Sequence, residues 1–240
     1  MIKLNKVCFS YDGEHPVLVD FCMEIPDGGA IAVMGASGSG KTTLVKLLLG
    51  FYPPASGDIF IGDTPLGSYS IREWRKRCGV VMQDGFIFSD SIAGNIAPGV
   101  EHIDKKRLRH AAEVANIHDF IEELPLAYNT KIGQEGHGLS QGQKQRILIA
   151  RAVYKDPEFI FFDEATNALD ANNERTIMNN LQTFFKGRTS VVVAHRLSTV
   201  RNAEQIIVIE QGRIAETGTH EALIALEGRY YKLVKNQLEL

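Results

Sequence analysis

Cysteine is scarce in this chain. Cys8, Cys22 and Cys78 are the only three, and none stands in CxxC spacing, which excludes a disulfide framework or a cysteine metal cluster and fits a reducing compartment. Long apolar runs are missing too. No run approaches the roughly 18 residues that a membrane-spanning helix needs, and Val191-Val192-Val193-Ala194 reads as a short buried strand. Met1-Ile2-Lys3-Leu4-Asn5-Lys6 opens as a strand-like segment rather than a secretory signal, so this chain alone is expected to be soluble. Excess charge of one sign is also absent. A net charge of -3 gives no hint of a nucleic-acid partner, and none is expected. No internal repeat or low-complexity segment breaks the pattern. What remains is 240 residues, 44% hydrophobic and 23% charged, enough to bury a core as one domain or a domain with a subdomain.

The most informative segment is Gly35 to Thr42, which reads G-A-S-G-S-G-K-T and completes the phosphate-loop form GxxxxGK[ST]. Apolar Ala30–Met34 precedes it and Leu44–Leu49 follows it, the strand, turn and helix that such a loop requires. Glycines let the backbone wrap a phosphate with its N–H groups pointing inward, and the helix start adds a field that favours anions. Gly35, Ala36, Ser37, Gly38, Ser39, Gly40, Lys41, Thr42 and Thr43 are therefore the expected nucleotide-binding residues. Lys41 is expected to reach the β- and γ-phosphates and the Thr42 hydroxyl to ligate Mg²⁺.

Strand-like and helix-like segments alternate, which predicts an α/β fold with a mainly parallel sheet. The opening differs: Ile2–Tyr11 and Val17–Ile25 read as two strands joined by the turn-rich Asp12–Pro16. Further strands are expected at Gly57–Ile61, Gly79–Met82, Phe159–Phe162, Ser190–Ala194 and Gln205–Ile209. Helical spacing marks Asp104–Ala115 and Ser140–Val153, and a helical tail is expected from about Thr219. The expected division is a core over about 1–83 and 157–240 with a helical subdomain inserted over about 84–156. Phe159-Ile160-Phe161-Phe162-Asp163-Glu164 is a continuous apolar strand ending in two acids. Such a strand suits the centre of a parallel sheet, and acids at its C-terminal end lie where α/β folds bind ligands. Beside a phosphate loop, Asp163 is expected to hold Mg²⁺ and Glu164 to act as general base on water.

Leu139-Ser140-Gln141-Gly142-Gln143, followed by Gln145-Arg146 and Ala150-Arg151-Ala152, resembles the signature segment of ATP-binding cassette (ABC) proteins. Asn167-Ala168-Leu169-Asp170 resembles the D-loop, His195 the switch histidine, Gln83 the Q-loop glutamine, and Tyr11 the aromatic that stacks on adenine. The motifs stand in the family's order and cover essentially the whole chain. The resemblance implies a P-loop NTPase with a RecA-like core, an N-terminal antiparallel β subdomain and an inserted α-helical subdomain, using ATP and Mg²⁺. It implies catalytic roles for Glu164, His195 and Gln83, with Gln83 also near the metal. It further implies a head-to-tail dimer with a second copy, in which Ser140, Gln141, Gly142, Gln143 and Asp170 face the partner's nucleotide. Gln141 departs from the usual glycine of the signature and Asn167 from the usual serine of the D-loop.

Thr130–Gly136 resembles the X-loop of exporters, with Gln134 where the pattern has Glu. Together with the run Gln83–Ile96 and the tail Gly218–Leu233, this likens the chain to the nucleotide-binding domain of a bacterial peptidase-containing or type I secretion exporter. The resemblance implies membrane domains outside this chain, a place at the cytoplasmic face of the cell membrane, and a cargo that is a peptide. Competing expectations are a soluble ABC protein of DNA repair or translation, and a P-loop kinase or a nucleotide binder without turnover. The signature segment speaks against a kinase and Glu164 against an inert binder.

Overall fold

The computed structural model describes residues 1–133, 136, 138–194 and 196–238. It opens with β1 (Ile2–Ser10) and β2 (Pro16–Ile25), paired antiparallel with Ile2 opposite Ile25 and Leu4 opposite Met23. Alternating residues put Ile2, Leu4 and Val7 on the buried face, as a sheet with one solvated side requires. β3 (Ala30–Gly35) and α1 (Lys41–Leu48) follow. β4 (Ser56–Ile61) and β5 (Thr64–Pro65) join the first ladder, whose order is β2-β1-β4-β5. Next comes α2 (Ile71–Arg77), capped by the Ser70 hydroxyl accepting from the Glu73 N–H, and then β6 (Cys78–Val81). The middle of the chain holds β7 (Asp90–Ser91), α3 (Ile92–Ile96), α4 (Lys105–Val114), α5 (His118–Glu123), β8 (Lys131–Ile132) and α6 (Gln141–Tyr154). After them run β9 (Phe159–Asp163), α7 (Ala171–Phe185), β10 (Thr189–Val193), α8 (Leu197–Val200), β11 (Gln205–Glu210), β12 (Arg213–Gly218), α9 (His220–Ala225) and α10 (Arg229–Leu238).

These elements fall into two compact units, one of Met1–Cys78, Glu158–Asp163 and Gly187–Leu240, the other of Gly79–Pro157 and Glu164–Lys186. In the first unit the strands run in the order β12-β11-β3-β10-β9. β11, β3, β10 and β9 are parallel and β12 is antiparallel. Every residue of β9 is buried, which explains its unbroken apolar run. Ala32, Met34, Ile206, Val208, Leu223, Tyr230 and Val234 form one core cluster against β3 and β11. Trp74, on α2, is fully buried; its indole N–H donates to the Leu48 carbonyl at 2.9 Å and its ring lies 4.8 Å from Phe159.

The second unit is mainly helical. α6 buries Ile147, Ile149, Ala150 and Val153, and α4 buries Leu108, Ala111 and Ala112. The helical insertion expected over 84–156 lies inside this unit, which also takes in 79–83 and 164–186. Amides explain the second addition. Asn173 on α7 accepts from Asn116, and Asn180 donates to the carbonyls of Glu113 and Val114 at the end of α4. The same asparagines hid α7 from the sequence pattern, because they are poor helix formers that weaken its apolar rhythm. α2 is short and was hidden for want of a long apolar face, and β12 because its residues alternate between exposed and half-buried.

Replacing Trp74 by Ala is expected to destabilise the chain by about 3–5 kcal/mol, the usual cost of emptying a large aromatic site. Chemical denaturation followed by circular dichroism measures it; a loss near zero would show that the pocket around Leu48 and Phe159 closes over the gap.

Candidate functional site

β3 delivers the chain to the glycine loop at the C-terminal end of the parallel strands, the edge where such sheets bind ligands. Gly40 precedes α1 at φ 108°, where a Cβ would come within 2.8 Å of the Leu18 side chain and 3.0 Å of the Val17 carbonyl oxygen. Only glycine fits there. A Cβ on Gly35 would strike the Ile209 carbonyl oxygen and approach the Ser39 hydroxyl at 2.6 Å, so the loop is threaded tightly between β11 and its own return. Lys41 is nearly fully buried, and its ammonium donates to the carbonyls of Gly35 at 3.0 Å and Ala36 at 2.8 Å. Ala36, Ser37 and Gly38 are exposed, Thr42 is half-buried, and the buried Ser39 hydroxyl oxygen has no hydrogen-bond partner among the described residues. An exposed glycine loop with a cation folded against it and a buried hydroxyl without a partner among the described residues suits a polyphosphate.

Sheet register places the acid. Val193 of β10 lies beside Val33 of β3 and beside Asp163 of β9. Asp163 therefore stands level with Val33 two strands away, about 10 Å at normal strand spacing, on the edge from which the loop departs. It is fully buried at the end of β9. Together, Thr42 and Asp163 offer a hydroxyl and a carboxylate, the hard oxygen donors that suit Mg²⁺.

Tyr11 lies 52% exposed at the end of β1, edge-on to Phe9 at 4.9 Å and to Tyr52 at 5.4 Å. Its hydroxyl is 3.1 Å from that of Thr43 on α1. This ties an exposed aromatic to the first turn of the phosphate-loop helix. The adjoining turn is organised by Asp12, whose carboxylate accepts from the N–H groups of Glu14 and His15, the Ser10 hydroxyl and the His15 ring. Those bonds, led by the His15 N–H, hold the Asp12 carboxyl well below the usual carboxylate range.

In the second unit α6 begins at the segment read as a signature. Ser140 caps it: its hydroxyl accepts from the Gln143 N–H at 3.2 Å, and the Gln143 side chain accepts from the Ser140 N–H at 2.8 Å. Ser140 and Gln143 thus satisfy helix donors in this structure. Gln141 is exposed and Gly142 half-buried. A Cβ on Gly142 would come to 3.2 Å from the Ala168 carbonyl oxygen, so internal packing also asks for a small residue here. Asp170 caps α7, its carboxylate accepting from the Asn173 side-chain amide at 2.6 Å and the Asn173 N–H at 3.0 Å, and these bonds lower its pKa.

Glu164 follows Asp163 directly and has φ +52°, a left-handed conformation that costs a residue bearing a side chain and gathers at functional positions. Its carboxylate accepts from the Asn167 amide and its carbonyl from the Gln145 amide. Gln83 is exposed and lines a cavity of about 410 Å³ with Phe86, Gln141, Lys144, Gln145 and Leu148. His195, and Gln134 of the X-loop, lie outside the described residues.

Two buried amides escaped the sequence pattern. Gln145 is 6% exposed, and Asn95, fully buried, exchanges hydrogen bonds with the backbone of Phe88. Arg151 donates to the carbonyls of Asn95 and Phe86 and stacks on the Phe88 ring at 5.1 Å. Desolvation lowers the pKa of Arg151 and of Arg146, which donates to the Asn116 carbonyl at 2.6 Å. Both arginines brace the fold. Gln145 follows Gln141 and Gln143 in the same helix, so nothing in the sequence pattern singles it out.

The family model described as "ABC transporter" matches residues 18–167. An ATP-dependent lipid A-core flippase of Saccharophagus degradans is 45% identical over 98% of this chain and 40% of its own length. ABC transporter B family member 21 of Arabidopsis thaliana is 45% identical over 98% of this chain and 18% of its own. A solved bacterial Atm1-family ABC exporter with ATP bound superposes with a TM-score of 0.93, at 38% identity, over 98% of this chain and 41% of that one. The chain thus spans less than half the length of these relatives. They are a flippase, a B-family transporter and an Atm1-family exporter, so the expected likeness to peptide-secretion exporters, and with it a peptide cargo, is not supported. Among the described residues no helix is long and apolar enough to cross a membrane.

Because Asp12 is depressed from its ordinary value of 3.8, its contribution to stability is present above that value and is lost as pH falls through the still lower folded one. The wild-type advantage over Asp12→Ala in urea midpoint is expected at neutral pH and to shrink only in strong acid. An advantage that vanishes well above the carboxylate range would refute this account of the turn.

Proposed function

On the premise that the chain belongs to the ABC transporter family and is an ATPase domain with its P-loop fold, we propose that it binds ATP with Mg²⁺ and hydrolyses it to drive an exporter. The observation that carries this reading is the common edge: the Gly35–Thr42 cradle and Asp163 sit on one sheet edge in a single unit, set in register by β10. Backbone N–H groups of the loop and the Lys41 ammonium would hold the phosphates. Thr42, Asp163 and the Gln83 side chain would hold Mg²⁺, whose charge offsets that developing on the transferred phosphoryl oxygens. Tyr11 would stack on the adenine through its exposed face. Glu164 would take a proton from the attacking water, with His195 near the γ-phosphate.

The chain would work as a head-to-tail pair of copies, Ser140, Gln141, Gly142, Gln143 and Asp170 facing the partner's nucleotide. Two features favour this. The α6 start at Ser140 and Gln141 and the α7 cap at Asp170 are exposed, and a helix start attracts phosphate. The exposed pair Phe86 and Phe88, with rings 5.3 Å apart, is the surface offered to membrane domains at the cytoplasmic face. Likeness to a flippase favours a lipid-like amphiphile as cargo over a peptide. If the whole protein is such a transporter, it will fractionate with membranes from native cells; recovery in the soluble fraction alone argues for a soluble member of the family.

Phosphate release and nucleotide affinity test the site. Glu164→Gln is expected to keep ATP binding, cut turnover by about 100-fold or more as a lost general base does, and enrich an ATP-bound dimer seen by light scattering. Lys41→Ala is expected to weaken ATP binding by about ten-fold or more, the scale of a lost charged hydrogen bond. Normal turnover in the first, or unchanged affinity in the second, defeats the corresponding role.

A further inference from the structure

We propose that Gln145 and Asn167 are positioning residues that set Glu164, Gln145 through its backbone and Asn167 through its carboxylate. This rests on the reading of Glu164 as the base. The turn to be held is strained: Glu164 has φ +52°, a state that persists only where neighbours over-determine it. One buried amide spans that turn. The Gln145 Nε2 donates to the Glu164 carbonyl at 3.1 Å, and its Oε1 accepts from the Ala168 N–H at 3.0 Å. Gln145 is 6% exposed, so water competes poorly for either bond. Inside the turn the Asn167 N–H donates to the Glu164 carbonyl at 3.3 Å, and the Asn167 Nδ2 donates to the Glu164 Oε2 at 2.5 Å. The last is a charge-assisted bond, of the kind that fixes both direction and distance.

Gln145 also belongs to α6, the helix that Ser140 caps. Gly142, at the start of the same helix, lies against the Ala168 carbonyl with no room for a tighter approach by a larger residue. Any displacement of the α6 start relative to this turn is therefore felt by the Glu164 backbone through Gln145 and by Ala168 through Gly142. The arrangement connects the segment that would meet a partner's nucleotide with the orientation of the base, entirely within the second unit. Among the described residues these are the amides seen to hold Glu164 at both its carbonyl and its carboxylate.

The test uses the 240-residue chain, with kcat and ATP Kd measured separately for Asn167→Ala, Asn167→Asp and Gln145→Glu, and Glu164→Gln in parallel. Asn167→Asp keeps the shape but replaces the donor by a charge that repels the carboxylate. Gln145→Glu keeps the acceptor for Ala168 and removes the donor to Glu164. Asn167→Ala is expected to lower kcat about ten-fold, as misplacement of a reacting group does, and Asn167→Asp to lower it further. Gln145→Glu is expected to lower kcat as well, with Kd in all three held within about two-fold, the split expected when only a chemical step is lost. Added to Glu164→Gln, Asn167→Asp should cost nothing more, since its effect passes through the removed carboxylate. Wild-type kcat in the Asn167 and Gln145 variants beside a collapsed Glu164→Gln overturns the clamp alone. So does a larger loss in Asn167→Ala than in Asn167→Asp, the order that packing predicts, or a loss of kcat matched by affinity. Turnover that survives Glu164→Gln overturns the base itself, whatever the amide variants do.

Discussion

Parallel register between β3, β10 and β9 is the constraint on which the site depends. Val193 lies beside both Val33 and Asp163, so a glycine loop leaving one strand and an acid ending another emerge at one level. Neither residue could supply this alone. A slip of one residue would turn Asp163 from one face of the sheet to the other, and its carboxylate would part from the loop. The buried apolar strands that hold the register, with every residue of β9 inaccessible, keep that edge rigid.

Most of the residues with a proposed role also have an ordinary structural one. Ser140 and Gln143 close a capping box, Asp170 caps α7, and Gly142 leaves space for the Ala168 carbonyl. Lys41 holds the carbonyls of its own loop. This economy has a physical basis. Helix starts and tight turns carry unsatisfied N–H groups, so a site built from them needs the same small or polar residues that stabilise them in the absence of ligand.

Glu164 differs, because its backbone is held in a costly conformation by partners from elsewhere in the chain. Asp12 and Asp170 sit in turns made by close neighbours in sequence, whereas Gln145 reaches Glu164 across nineteen residues. The second unit thus acts as a frame around Glu164. The amides of Asn116, Asn173 and Asn180 tie α7 to the end of α4 in the same unit, so the helix that follows Glu164 is anchored as well.

Spacing along the chain was sufficient to read the glycine loop, the acidic strand end, the helix at Ser140 and the mainly parallel sheet, because each rests on contacts between near neighbours or on an unbroken apolar run. It did not reveal α7, the extent of the second unit or the work of Gln145. Those depend on hydrogen bonds between side chains far apart in sequence, and such bonds leave no periodic trace. The expected likeness to peptide exporters was likewise not supported, since the relatives matched over 98% of this chain are a lipid A-core flippase, a B-family transporter and an Atm1-family exporter. Folding settled what spacing could not: which buried amide meets which carbonyl, since that pairing exists only once distant segments are packed together and water is gone.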